Sequence, residues 1–246
     1  MLSCVDLHKS FDSVVALNGV ALSFARGEVC AVIGPNGAGK TTLLNVLTGF
    51  IRADRGRCLL GTWDITALAP HRIALKGVSR TFQDLRLVKQ LSVLDNVLLA
   101  FKPQMGESLW RALSRVGLSD QAAALRVRAA EVLSELRLSE HKHQPAGDLS
   151  YGQQKLLTIA TCVATGANVL LLDEPFSGVD PGTRELVVKL IDTFRQKSKT
   201  VVFVEHDIDA VRRVADRVIA MSQGTVIADG APEEILSRSE ILESYL

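Results

Sequence analysis

The segment Gly34-Pro35-Asn36-Gly37-Ala38-Gly39-Lys40-Thr41 matches the pattern G-x-x-x-x-G-K-[ST] at every fixed position. Its glycines let backbone N–H groups turn inward on an anion, and a helix opening at Lys40 adds the partial positive charge of its amino terminus. That chemistry fits the phosphates of a nucleotide: Lys40 reaches the β- and γ-phosphates, Thr41 ligates Mg²⁺ through its hydroxyl, and Thr42 bonds the α-phosphate. Adjacent carboxylates, Asp173 and Glu174, stand just past the apolar run Val169-Leu-Leu-Leu172. Alone, such a pair is most often a solvated loop. With the glycine-rich loop upstream, Asp173 is assigned to Mg²⁺ through a water, and Glu174 to the general base that activates water against the γ-phosphate. His206, in Val204-Glu-His-Asp207, also follows an apolar run, which places it as a hydrogen-bond donor to the γ-phosphate although a lone histidine there is more often structural. His8, His71, His141 and His143 have no such context and read as surface or core residues.

These groups need elements to hold them together. Glu28 to Ile33 is a nearly continuous apolar run, as in a strand covered on both faces, and Lys40 to Thr48 has helix composition and stops at Gly49. Val20 to Phe24 alternates with a strand's two-residue period. Asn168 to Asp173 and Thr200 to Val204 read as buried strands. Helices are expected over 183–197, with Leu186, Val187, Leu190, Ile191 and Phe194 inward, and over 209–215. Arg217 to Met221 and Thr225 to Asp229 read as a hairpin. Between about Leu85 and Leu138 the β-branched runs thin out. Leu125, Ala129, Val132, Leu133 and Leu136 share one helical face there, with Arg126, Arg128, Glu131 and Glu135 mostly elsewhere, and 103–108 reads as a surface loop. Strands alternating with helices imply an α/β fold with a mostly parallel sheet, and because ligands gather at the carboxyl ends of such strands, Asp173 and Glu174 are expected beside the glycine-rich loop.

The bulk properties narrow the class. The chain has 246 residues, 47% of them apolar, and a formal net charge of +1. A large packed core is therefore feasible, and no charge excess argues for nucleic acid. Cys4, Cys30, Cys58 and Cys162 show no C-x-x-C pair, which suggests neutral thiols in a reducing cytoplasm. Residues 1–12 lack the pattern of a secretory signal, and no apolar run approaches the roughly 18 residues needed to span a bilayer.

Leu149-Ser150-Tyr151-Gly152-Gln153-Gln154 resembles the Leu-Ser-Gly-Gly-Gln signature of ATP-binding cassette proteins, and it precedes the Asp173-Glu174 strand as in that family. Gln83, in Arg80-Thr-Phe-Gln83, resembles the Q-loop glutamine. Ser177-Gly-Val-Asp180 resembles the D-loop, His206 the switch histidine, and Phe11 the aromatic that stacks on adenine. Tyr151 departs from the usual glycine, and Phe11 from the more frequent tyrosine; Ser150 and Gly152 are retained. The resemblance covers essentially the whole chain. It implies a P-loop NTPase with an antiparallel β region and an inserted helical subdomain: residues 1–84 with 166–246 form the catalytic and β parts, and 85–165 the helical part. It further implies ATP and Mg²⁺ as cofactors, with Gln83 also near the metal and the water. A head-to-tail dimer follows, in which Ser150, Gly152, Gln153 and Asp180 of one subunit close over ATP held by Gly34–Thr42 of the other. Ser150 as an N-cap supports this, because the helix over 151–164 would offer a hydroxyl and free N–H groups to an anion.

A single nucleotide domain without a membrane span resembles the separate ATPase subunit of a bacterial importer. Ser79-Arg-Thr-Phe-Gln-Asp-Leu-Arg-Leu87, Leu91-Ser-Val-Leu-Asp-Asn-Val97, the Leu-Ser-Tyr-Gly-Gln-Gln signature and the Glu-Ser-Tyr-Leu ending are similar to the ATPases of branched-chain amino acid transporters. Relatives that move urea or short amides, or extract lipopolysaccharide, share much of this pattern. The implied partners are a second cassette subunit, identical or paralogous, and membrane permeases docking near residues 83–88, where Leu85, Leu87 and Val88 would supply an apolar notch. The implied location is the cytoplasmic face of the inner membrane, held peripherally. A soluble cassette scaffold, as in iron–sulfur cluster assembly, is the rival. A GTPase would show Asn-Lys-x-Asp, which is absent.

Overall fold

The computed structural model describes residues 1–101, 118–239 and 241. The loop expected over 103–108 and the last four residues, 243–246, lie outside them. In chain order the elements are β1 (Leu2–Phe11), β2 (Val14–Phe24), β3 (Val29–Ile33), α1 (Lys40–Leu47), β4 (Arg55–Leu60), β5 (Trp63–Asp64), α2 (Pro70–Leu75) and β6 (Val78–Arg80). Then follow α3 (Val93–Ala100), α4 (Leu118–Glu135), α5 (Tyr151–Ala164), β7 (Val169–Asp173), α6 (Pro181–Gln196) and β8 (Thr200–Val204). The described chain closes with α7 (Ile208–Val214), β9 (Arg217–Ser222), β10 (Thr225–Gly230) and α8 (Pro232–Ile235).

Among the described residues the contacts form two compact units. One holds 1–83, 168–177 and 187–246; the other holds 84–167 and 178–186. The first unit is built on a six-stranded sheet in the order β10-β9-β3-β8-β7-β6, parallel except where β10 returns along β9. Every residue of β3, β7 and β8 is buried, as their unbroken apolar runs require of strands covered on both faces. A second, antiparallel sheet runs β2-β1-β4-β5. The fold is the α/β arrangement expected, with a mixed core sheet and a separate antiparallel one.

Two departures have a local cause. β2 starts at Val14, well before the alternating stretch at Val20, and β1 precedes it across a tight turn where Phe11 pairs with Val14. Neither stretch alternates cleanly, because register shifts interrupt β1 on both sides and Asp6 takes a left-handed φ of 51° inside it. The side chains of Val14 and Val15 are exposed, which removes the usual burial signal. Elsewhere the period holds: in α6 Val187, Leu190, Ile191 and Phe194 are buried together with Val188, while Leu186 is half-buried.

The four cysteines are free and buried. Cys4 and Cys58 face each other across β1 and β4. Burial pushes the Cys4 thiol up to about 11 and Cys58 up to about 12, and it raises Cys30 further.

In the second unit α3, α4 and α5 pack on one another. Ala129, Leu133 and Leu136 are buried and Leu125 and Val132 half-buried, while Arg126, Arg128, Glu131 and Glu135 are exposed, matching the amphipathic pattern. Asn96 ties the segment before α3 to the helix: its carboxamide accepts from the Val88 N–H at 2.9 Å and donates to the Val88 and Ser92 carbonyls at 3.0 and 2.9 Å. No described helix is long and apolar enough to cross a membrane.

Candidate active site

The glycine-rich loop leaves β3 at its carboxyl end and enters α1 through Gly39, the N-cap, at φ 98°. Two glycines are dictated by close approach. A Cβ on Gly34 would lie 2.1 Å from the Met221 carbonyl oxygen, and one on Gly39 would lie 2.3 Å from that of Ala16. Both also have φ values that L side chains rarely adopt. The loop is thereby pressed against β9 and β2, and Gly224 N–H donates to the Ala38 carbonyl at 3.1 Å.

Lys40 is 6% exposed, and its ammonium donates to the Gly34 and Pro35 carbonyls at 2.7 and 2.9 Å. Burial lowers its pKa from the ordinary lysine value, while the charges of Glu174 and Asp173 pull the other way. The ammonium is thus held over the loop by its own carbonyls and is free to exchange them for a stronger, charged acceptor.

A cavity of about 330 Å³ opens over this loop. It is lined by residues 36–42 of the loop and helix start, by Val14 and Ala16, and by Gln83, Glu174, Val204 and His206. His206 Nε2 and Glu174 Oε1 are 3.2 Å apart. Glu174 itself has φ 48°, a sparsely populated region for a residue with a side chain, of the kind that clusters at functional sites. Lys40, Thr41, Thr42, Gln83, Glu174 and His206, singled out from the sequence, therefore surround one space.

Other expected site residues sit differently. Asp173 is 3% exposed and does not line the cavity; its carboxylate accepts from Arg80 Nη2 at 2.7 Å in an ion pair with both side chains buried. Arg80 Nη1 continues to Asn45 Oδ1 at 2.6 Å, and the Asp173 backbone N–H donates to the Thr81 hydroxyl at 2.9 Å. Phe11 is exposed beside Val14 without lining the cavity, with Lys9 Nζ 5.2 Å from its ring centroid. Pro35 contributes its carbonyl to Lys40.

Ser150, Gly152, Gln153 and Asp180 belong to the second unit and form their own cluster there. The Ser150 hydroxyl accepts from the Gln153 N–H at 3.3 Å, and Gln153 Oε1 accepts from the Ser150 N–H at 2.9 Å, which closes a capping box at the start of α5. Gln153 Nε2 lies 2.9 Å from His141 Nε2, so His141 has a polar partner that its sequence context did not suggest. Asp180 accepts from the Thr183 N–H and hydroxyl at 3.0 and 2.6 Å, and these bonds lower its pKa. A Cβ on Gly152 would meet Thr183 Oγ1 at 3.1 Å and Asp180 Oδ2 at 3.3 Å, so a side chain there would crowd that cluster. Tyr151 is half exposed, and its ring edge lies where a Cβ on Gly178 would come to 3.0 Å.

Sequence reasoning passed over Arg80, Asn45 and Glu205. Each is polar in a mostly apolar setting, and that was the available signal: Arg80 stands three residues before Gln83, and Glu205 interrupts the run between Val204 and His206. Thr41 and Gln83 supply neutral oxygens facing the cavity, and Asp173 a carboxylate close by in sequence and sheet. That donor set suits a hard cation completed by phosphates and water. Among the described residues no group of three or more His, Cys, Asp or Glu is placed to hold a metal ion. The Gly39→Ala variant is expected to fold with a displaced loop and to lose nucleotide binding by at least about tenfold, given the 2.3 Å clash and the positive φ, as read by titration with a fluorescent ATP analogue.

The ABC transporter family profile matches residues 17–177. The high-affinity branched-chain amino acid transport ATP-binding protein LivG of Salmonella typhimurium is 36% identical over 248 residues, covering 100% of this chain and 97% of LivG. A nucleotide-free ATP-binding cassette from an ABC transporter superposes with a TM-score of 0.86 at 32% identity, covering 100% of this chain and 98% of that one. A dimeric cassette in a post-hydrolysis state with ADP and Pi superposes with a TM-score of 0.81 at 26% identity, covering 94% and 99%. A phosphate-type loop with its lysine, a carboxylate–histidine pair across the same cavity and this full-length similarity make the chain a member of the ABC transporter family, a nucleotide-binding cassette that hydrolyses ATP.

Proposed function

We propose that the chain is the ATPase subunit of an importer for branched-chain amino acids. The observation that carries this is the cavity in which Lys40, Thr41, Gln83, Glu174 and His206 converge, on a chain 36% identical along its whole length to a transport ATPase of that cargo class. In this reading the N–H groups of residues 34–42 and the Lys40 ammonium bind the triphosphate, and the ammonium leaves its loop carbonyls to do so. Thr41 and Gln83, with Asp173 through a water, would hold Mg²⁺, which when bound would neutralise phosphate charge. Glu174 orients and deprotonates the attacking water, and His206, 3.2 Å from that carboxylate, donates a hydrogen bond to the γ-phosphate. Phe11 supplies an aromatic face for the adenine ring.

Ser150, Gly152, Gln153 and Asp180 complete the site of a second cassette subunit, an arrangement supported by the dimeric cassette similar to this chain. Residues 1–84 with 166–246 act as the catalytic part and 85–165 as the helical part. The stretch 83–88 receives the permease: Val88 is exposed, and Leu85 and Leu87 are half-buried, so an apolar surface is available there. The subunit then works peripherally at the cytoplasmic face of the membrane.

Three measurements test this. The Glu174→Gln variant should bind Mg-ATP as the native chain does and lose turnover by about 10²-fold or more, leaving a long-lived ATP-bound dimer; native turnover would remove Glu174 from the role. Lys40→Ala should lose ATP affinity by at least about tenfold in a direct binding titration, and undiminished affinity would count against the phosphate assignment. Purification of the chain from its native membrane should bring integral permease subunits with it; soluble assembly proteins in their place would favour the scaffold alternative.

A further inference from the structure

Glu205 is a carboxylate only 1% exposed, placed between the last residue of β8 and His206. A charged group in that position is costly unless its oxygens are engaged. Its two oxygens reach two different loops. Oε1 accepts the Phe176 N–H at 2.7 Å, in the turn that follows β7, and Oε2 accepts the N–H of His206 at 3.0 Å. One side chain thus joins the turn carrying Glu174 to the backbone carrying His206.

The same turn holds Glu174 in its left-handed conformation. Glu174 N–H donates to the Val204 carbonyl at 3.0 Å, and Ser177 N–H donates to the Glu174 carbonyl at 3.2 Å. The Phe176 ring meets Phe203 edge-on, with centroids 6.1 Å apart. Residues with φ near 48° relax unless their surroundings over-determine them. The Glu205 side chain that binds the Phe176 N–H in this turn also accepts the N–H of His206.

We propose that Glu205 is a positioning residue for ATP hydrolysis: its buried carboxylate bridges the Phe176 and His206 amides, and so sets the orientation and separation of Glu174 and His206. This rests on the assignment of Glu174 and His206 to the hydrolytic step. A carboxylate is required because both of its oxygens accept. A carboxamide offers one acceptor, and its NH₂ would face a second N–H. Glu205→Gln therefore keeps the shape and removes half of the bridge, whereas Glu205→Asp keeps both acceptors on a shorter stem.

The test compares native, Glu205→Gln, Glu205→Asp and Glu174→Gln full chains, assembled with partner subunits where turnover needs them. ATP turnover and direct ATP affinity are measured on each. Misplacement of the base and histidine without disturbance of the phosphate loop should lower kcat of Glu205→Gln by at least about tenfold. Its ATP Kd should stay within about threefold of native, and Glu205→Asp should retain more turnover than Glu205→Gln. Native kcat in Glu205→Gln beside an inactive Glu174→Gln would overturn the role of Glu205 alone. Native kcat in Glu174→Gln would remove the reading on which the role rests. Parallel loss of kcat and ATP affinity in both Glu205 variants would mean that the carboxylate only supports the fold. If Glu205→Gln does not fold, the same split read on Glu205→Asp decides the matter.

Discussion

The desolvated ammonium of Lys40 constrains the phosphate loop and the strands around it. Lys40 lies at the first turn of a helix, nine-tenths out of water, where the helix amino terminus already carries partial positive charge. Such a cation is tolerable because two loop carbonyls lie within 2.9 Å and because Glu174 and Asp173 supply opposite charge. Carbonyls can converge on it only if the loop wraps tightly, and the wrap demands bare backbone at Gly34 and Gly39. The tight wrap in turn needs rigid walls, provided by the Met221 carbonyl of β9 and the Ala16 carbonyl of β2.

Charge is distributed around this centre in a specific way. Arg80 compensates Asp173 in a pair with both side chains buried, and Asn45 takes the other arm of the guanidinium. A buried pair of this kind contributes little net stability, yet removing one partner strands the other. It therefore acts more as an orientation device for β6 and β7, whose strands carry the two groups in adjacent register, Arg80 beside Leu171. Glu174 and His206 stay at the cavity wall, where they are accessible to a ligand. The sheet thus separates two carboxylates that are neighbours in sequence into a buried, ion-paired one and a half-buried one facing solvent.

Much of this was legible from residue order because strand burial and loop chemistry are local. The unbroken runs of β3, β7 and β8 are visible as runs, and the glycine pattern between β3 and α1 names its own turn. α5 begins and ends where its cap and composition place it, at Tyr151 and Ala164. The edges of the antiparallel sheet were less visible, since bulges at Asp6 and exposed valines at 14 and 15 erase the alternation. Long-range polar bonds were invisible for another reason. Nothing local tells that Arg80 meets a carboxylate 93 residues away, or that Glu205 reaches back 29 residues to Phe176.

The four enclosed thiols carry a practical consequence. All are sequestered, and burial lifts those at 4, 30 and 58 well above neutral pH, so almost none of that sulfur is thiolate in the native state. Alkylating reagents should therefore react with the chain only as it opens, with Cys4, Cys30 and Cys58 reporting on the β-rich unit and Cys162 on the helical one. Timed maleimide or iodoacetamide pulses would then separate breathing of the two units without an engineered probe, and a cysteine introduced on the surface would be labelled against a silent background.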